Sequence, residues 1–227
     1  MPPRLQPEPG RVCEWEDLGR VGYREAWDRQ LAAAELLKQG EGPDRLLFVE
    51  HPHVVTLGRN AHMENVLVSP ERMAALGIEM HETDRGGDVT YHGPGQLVGY
   101  PLLDLTKWKR DVAAYLRALE EVLILTLADF GLEGERSEGA TGVWVGDAKV
   151  AAMGVHLSRW VTTHGFALNV TTDLGYFGHI VPCGLTRPVT SMEKLLGRAP
   201  RRAEVRDALV GHFGRVFGRT MTQGRQR

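Results

Sequence analysis

Asp84-Arg85-Gly86-Gly87-Asp88-Val89-Thr90-Tyr91-His92-Gly93-Pro94-Gly95-Gln96 puts four glycines, a proline, an arginine and a histidine into thirteen residues, a poor composition for core. Glycine permits positive φ and close backbone approach to a ligand, and successive N–H groups in such a segment can form an anion-binding nest. Arg85 suits a carboxylate or phosphate, and His92 suits hydrogen-bond donation or a proton shuttle. The plainer alternative is a long surface turn built on Gly93-Pro94-Gly95. The glycines lack the G-x-G-x-x-G spacing of a dinucleotide fingerprint, and the stretch is not a Walker A loop. The fold class is therefore read from the elements on either side.

Upstream, Tyr23, Trp27, Leu31 and Ala34 recur at three- and four-residue spacing, which predicts an amphipathic helix from Tyr23 to Lys38, ended by Gly40 and Gly42-Pro43. Leu46–Val49 and Val54–Leu57 read as strands. Ser69-Pro70-Glu71 opens a short helix that Gly77 closes. Downstream, Val112, Tyr115, Leu116, Leu119, Val122, Leu123 and Leu127 form the apolar stripe of a helix from Asp111 to about Phe130. Val143–Val145 and Ala148–Leu157 flank Gly146-Asp147, a pair suited to a hairpin turn. Phe166–Val170 is a further strand, and a last helix after Pro200 turns Val205, Leu209, Phe213 and Phe217 inward. Strands cluster in the middle with helices before, between and after them. That order favours an α+β fold with a mixed, largely antiparallel sheet over a regular βαβ wind.

The composition is that of an ordinary globular chain: 42% apolar and 25% charged residues over 227, with net charge -2. There is no global electrostatic case for nucleic acid or membrane. No apolar stretch is long enough to span a bilayer. The N-terminus has no apolar h-region of a signal peptide, so a cytoplasmic location is expected. Residues 1–11, rich in proline, are expected to be a flexible tail, and 12–227 a single catalytic domain. Arg198, Arg201, Arg202, Arg206, Arg215 and Arg219 give the C-terminal end a local basic bias, which a solvated helix face explains as well as a docking role does.

Cys183, in His179-Ile180-Val181-Pro182-Cys183-Gly184, is one of two cysteines. Flanked by Pro and Gly, it sits in a bent segment where a thiol can face a substrate, and a neighbouring cation would populate the reactive thiolate. A buried cysteine acting as a small apolar residue is the alternative. Lys149, just past the Gly146-Asp147 turn, lies in an otherwise small and apolar strand, sharing a face with Ala151, Met153 and Val155. It either snorkels at the sheet end or sits in a dry pocket as a candidate base. His51, His53, His62, His156 and His164 lack a standard ligand spacing, so no metal is expected. Cys13, near the mobile end, is expected to be incidental.

Residues 84–101, 142–155, 164–170 and 179–184 resemble, in order and spacing, the octanoyltransferases of lipoate biosynthesis, the lipoate-protein ligase B family. The RGG-x-VTYHGPGQ string is highly specific, and the likeness is strongest over residues 44–197. The resemblance implies the catalytic fold of biotin and lipoate protein ligases. It implies transfer of octanoyl (or lipoyl) from acyl carrier protein to a lysine of lipoyl domains, in 2-oxoacid dehydrogenases and the glycine cleavage H protein. It also implies a monomer that needs no cofactor. The family's acyl-thioester cysteine falls on Cys183, and the lysine that lowers its pKa on Lys149. Ala148 stands where many members carry another lysine. Substrate-binding positions fall on Arg85, Gly86, Gly87, Asp88, Val89, Thr90, Tyr91 and His92, on Ala152-Met153-Gly154, and on Gly165-Phe166-Ala167. Backbone N–H groups at Gly184 or Gly154 are candidates for the oxyanion site. Gly87, Ala152 and Ala167 are small enough to leave space for the acyl tail. The rivals are an ATP-dependent ligase on the same fold, a non-catalytic binder, and chemistry through His92 with Cys183 structural.

Overall fold

Leu46, Leu47, Phe48 and Val49 are all buried, yet neighbours in this run face different cores. Leu46 and Phe48 pack with two helices from later in the chain, whereas Leu47 and Val49 pack against the first helix of the chain. This is the period-two alternation of a strand covered on both faces. The computed structural model describes residues 11–181 and 187–224. In chain order its strands are β1 (Val12–Arg20), β2 (Asp44–Glu50), β3 (Val54–Leu57), β4 (Glu79–Glu82), β5 (Val89–His92) and β6 (Gln96–Leu102). They continue as β7 (Glu135–Ser137), β8 (Ala140–Val145), β9 (Ala148–Ser158), β10 (Val161–Asn169) and β11 (Thr220–Gln223). The helices are α1 (Tyr23–Lys38), α2 (Pro70–Ala75), α3 (Val112–Asp129), α4 (Met192–Leu196) and α5 (Arg202–Phe217).

Among the described residues, eight strands form one sheet in the order β11-β1-β2-β6-β10-β9-β8-β7, and β4-β3-β5 form a second. In the large sheet β1 runs parallel to β11 and to β2, and the other pairs are antiparallel. α1 makes the crossover between parallel β1 and β2. α3 and α5 cover one face of the large sheet, and α1 and the small sheet cover the other. The mixed, largely antiparallel α+β architecture expected from the sequence is what the structure has.

Several elements match their expected boundaries for the expected reasons. Ser69 accepts a hydrogen bond from the Arg72 N–H at the start of α2, and Asp111 accepts one from the Ala114 N–H at the start of α3. Gly146, at φ +57°, turns β8 into β9.

Other expectations needed correction. The buried face of α1 is Tyr23, Ala26, Gln30, Ala33, Ala34 and Leu37; Leu31 is exposed and Trp27 only half-buried. Ala26 and Ala33 join Ala34 on that face, their small side chains letting the helix sit close to the sheet. The plainer alternative for residues 84–96, one long surface turn, fails: Val89–His92 is a strand and Gln96 begins another. β4, β7 and β11 are short edge strands, and β1, though paired on both sides, is mostly polar and half-buried, so none of the four carries a clear apolar alternation. The turn between β9 and β10 is Arg159-Trp160, both at positive φ. Without Gly or Asn, it gave no turn signal. Cys13 is fully buried in β1, paired between Met221 and Asp44. The basic bias is largely spent on ion pairs: Arg202 and Arg206 both hold Asp17, Arg219 holds Asp44, and Arg201 pairs with Glu204.

Candidate active site

On the α1 face of the large sheet, a pocket opens between β6, β10 and β9 on one side and residues 85–92 on the other. Period two along β5 explains which residues reach it. Thr90 and His92 line the pocket, whereas Val89 and Tyr91 belong to the core of the small sheet. Arg85 and Gly87 complete that wall. The opposite wall is Ala152, Met153 and Gly154 from β9 and Gly165, Phe166 and Ala167 from β10, so both short segments singled out in the sequence reach the pocket. Ala152 and Ala167 are register partners, as are Gly154 and Gly165, so the small residues form a continuous floor. Tyr23, Val98, Tyr100 and His164 also line it and were not singled out beforehand. Tyr23 carried a usable signal, an aromatic residue opening an amphipathic helix, but that pattern reads equally as core.

Glycine lets the Arg85–Gly87 loop lie flat on the sheet. A Cβ on Gly154 would stand 2.8 Å from the Gly86 carbonyl oxygen, and one on Gly58 would stand 2.3 Å from that of Gly87. The Gly86 N–H donates to the Val155 carbonyl at 2.9 Å. Arg85 is buried and donates through Nε and Nη2 to Thr56, and through Nη1 to the Gly86 carbonyl. Asp88 accepts from the His62 and Val89 N–H groups and from the Asn65 side chain. It thus fastens residues 62–65 beneath the loop. Asp88, Val89 and Tyr91 build the back of the wall and lie outside the pocket lining.

His92, in the pocket lining, and His51, buried behind it, are neutral. Burial, reinforced by His51, pushes His92 down to about 3. Its Nδ1 lies 2.7 Å from Gln96 Oε1, and Gln96 in turn donates to Asn169. Burial also holds His51 at about 4, with Nδ1 2.9 Å from the Val21 carbonyl and Nε2 2.8 Å from the Tyr100 hydroxyl. His92 therefore suits hydrogen bonding. It does not suit a proton shuttle at neutral pH, which counts against base chemistry through this residue.

Lys149 lies at the β8 end of the floor, where two clefts meet. One is a small recess shared with Thr90, Gln96, Ala152, Ala167, Asn169 and Val189, of which Thr90, Ala152 and Ala167 also line the pocket. The other is an open groove along Val112, Leu116, Ala140, Met153 and Val155. Val112 is exposed there instead of closing the α3 core stripe. The Lys149 ammonium stands 4.8 Å from the centroid of the buried Trp144 ring, a cation–π contact.

Cys183 and Gly184 lie outside the described residues. The chain on both sides of them is fixed. Before them, the Val181 N–H donates to the Asn65 carbonyl at 2.7 Å, and Ile180 bridges to Val66. After them, the Lys149 N–H donates to the Pro188 carbonyl and the Thr190 N–H to the Lys149 carbonyl, both at 2.9 Å. The other cysteine is unsuited to chemistry, since burial and the nearby Asp44 carboxylate push the Cys13 thiol far up.

Comparison with known proteins places the chain in a family. Residues 22–214 match the family described as the lipoyl protein ligase A/B catalytic domain. An octanoyltransferase of Solibacter usitatus is 58% identical over 214 residues, 94% of this chain and 97% of that protein. One of Gloeobacter violaceus is 53% identical over 208 residues, 91% of this chain and 90% of that protein. The bi-partite lipoate protein ligase of Thermoplasma acidophilum has the same fold at 18% identity, with a TM-score of 0.75 over 95% of this chain and 87% of that one. The biotin protein ligase of Aquifex aeolicus is more distant, with a TM-score of 0.51 at 12% identity over 90% of this chain and 68% of that one.

Proposed function

The chain belongs to the lipoyl protein ligase A/B catalytic-domain family, and on that premise we propose how it transfers an octanoyl group in lipoate biosynthesis. The donor is an octanoyl thioester on acyl carrier protein. The acceptor is a lysine of a lipoyl domain, in a 2-oxoacid dehydrogenase or the glycine cleavage H protein. The enzyme works as a cytoplasmic monomer. The observation that carries the mechanism is the apolar floor of Ala167, Ala152, Gly165 and Gly154, which runs up to Lys149, while Pro188 and Thr190, just after Cys183, are bonded to the Lys149 backbone.

In the first step the Cys183 thiolate attacks the donor carbonyl, and the carrier thiol leaves with a proton as the octanoyl-enzyme forms. In the second step the acceptor amine, having lost a proton, attacks that thioester. An amide forms and the cysteine is released. A free thiol with pKa about 8.5 is only a few per cent thiolate at neutral pH, and a protonated Lys149 beside it raises that fraction. The proton Lys149 gives up can be replaced from the acceptor lysine. The acyl tail lies along the small-residue floor, where each buried methylene contributes about 0.8 kcal/mol. Neither step needs ATP, because the donor is already a thioester.

Intact-mass spectrometry after mixing with octanoyl-carrier protein, without ATP, tests the route. Wild type gains one octanoyl group, Cys183→Ala gains none and loses transfer, and Lys149→Ala acylates at least about 100-fold more slowly. Full-rate lipoyl-domain acylation by Cys183→Ala would overturn the thioester route, and transfer that requires ATP would reassign the reaction to a ligase.

A further inference from the structure

His164 has a conformation that a strand does not provide. In β10, Phe166 and Leu168 face the α3 and α5 core, so regular alternation would place His164 on that same side. Its φ is +57°, in the left-handed region that non-glycine residues rarely occupy. The imidazole instead faces α1, where it packs against Trp27 at a ring-centroid distance of 5.7 Å. It is fixed at three atoms. Its N–H donates to Gln30 Oε1 at 2.8 Å, its Nε2 lies 2.6 Å from Asp84 Oδ1, and its Nδ1 lies 3.4 Å from the Tyr23 hydroxyl. An Nε2–H tautomer serves all of these, with Asp84 accepting and Tyr23 donating. The side chain is buried and lines the pocket.

The position along the floor gives this arrangement a purpose. From the Lys149 end, the floor passes through Ala152 and Ala167, then Gly154 and Gly165, which have no side chains, and then meets His164. Three strand residues separate Ala167 from His164, about 10 Å at the usual rise. That matches the reach of an extended eight-carbon chain whose carbonyl sits over the Ala152–Ala167 pair, in the recess those residues share with Lys149. We propose that His164, turned into the pocket by its left-handed backbone and clamped between Asp84 and Tyr23, is the end wall that limits the length of the acyl chain accepted. The proposal rests on the reading that this pocket holds the acyl tail. Neither Cys183 nor Lys149 takes part in it, so length selection is separable from chemistry.

The test measures kcat/KM for octanoyl-, decanoyl- and dodecanoyl-carrier protein with the full-length enzyme. His164→Gly suits the positive φ and removes the wall. His164→Asn tolerates the same φ and keeps a shorter polar side chain. The dodecanoyl-to-octanoyl ratio should rise at least about ten-fold in His164→Gly, with a smaller rise in His164→Asn led by the decanoyl substrate. A parallel loss for all three chain lengths in both folded variants would overturn the proposal and leave His164 a structural residue. Ala167→Leu, which fills mid-pocket, separates the two readings. If it blocks every chain length while the His164 variants leave the ratio unchanged, the pocket reading stands and the end wall falls. If Ala167→Leu transfers octanoyl at the wild-type rate, the pocket reading itself falls, and the end wall with it.

Discussion

The two halves of the large sheet handle buried polar groups in opposite ways. At the β11–β1–β2 edge they are charged and paired. Asp44 is fully buried between Arg11 and Arg219, and Asp17 is gripped by Arg202 and Arg206. At the β6–β10–β9 half the polar groups are mostly neutral: His92 and Tyr100 line the pocket and bond to Gln96 and His51 behind it, with Arg85 bonded to Thr56 in the wall and Asp84 at the margin. The edge ties distant chain segments together, since Arg11, Asp44 and Arg219 come from opposite ends of the sequence. The pocket must instead accept an apolar chain, and unpaired charge along its floor would oppose that burial.

The largest effect expected from this contrast is at the edge. Asp44→Ala strands two guanidiniums and an Asp104 N–H, and should cost about 3–5 kcal/mol of stability in denaturant titration. Transfer per folded molecule should be unchanged; a variant that keeps its stability but loses activity would break the comparison. Next is Gly154→Ala in the pocket. Its Cβ would press on the Gly86 carbonyl and displace the Arg85–Gly87 loop, so kcat/KM should fall about 100-fold while the melting temperature moves little.

A smaller effect distinguishes the halves by pH. His92 and His51 have folded values of about 3 and about 4, against 6.5 ordinarily. Below 6.5 the unfolded chain takes up protons that the folded chain refuses. Stability is therefore full above that pH and falls as pH drops toward 4, by on the order of 2 kcal/mol for each histidine by about pH 5. Burial raises the Asp17 carboxyl, but the Arg202 and Arg206 guanidiniums outweigh it and hold it below 3.8. Its contribution is thus lost only at more acid pH. Thermal melts of wild type and His92→Gln across pH 4–7 sharpen the point, because the variant should show a shallower slope. The smallest effect is Arg201→Ala. That pair with Glu204 lies in solvent, and neither the melting temperature nor the KM for carrier protein should change measurably.

Local signals carried much of this molecule. The caps at Ser69 and Asp111, the Gly146-Asp147 turn and the alternation in β2 are written in neighbouring residues, because helix ends and strand faces depend on spacings of a few positions. The glycine-rich stretch and the two short segments in β9 and β10 were legible as site material, and ten of those singled-out residues do meet at one pocket. What was not legible depends on distant partners. β1 and β11 form an edge only because they pair with each other, and the arginines after Pro200 are structural only because Asp17 and Asp44 lie opposite. Tyr23 and His164 line the pocket for the same reason. His164 looks like any strand residue in His164-Gly165-Phe166-Ala167, and only the approach of α1 and of Asp84 to the sheet gives it three partners.

The sequence by itself determined the fold class, the family and the candidate chemistry, since hydrophobic period, capping residues and a specific motif are properties of adjacent residues. Only the tertiary structure decided which wall each residue joins, which charges are already paired, and where the pocket ends. Those outcomes depend on burial and on hydrogen-bond partners contributed by segments more than a hundred residues apart, such as Tyr23 and Gln30 meeting His164.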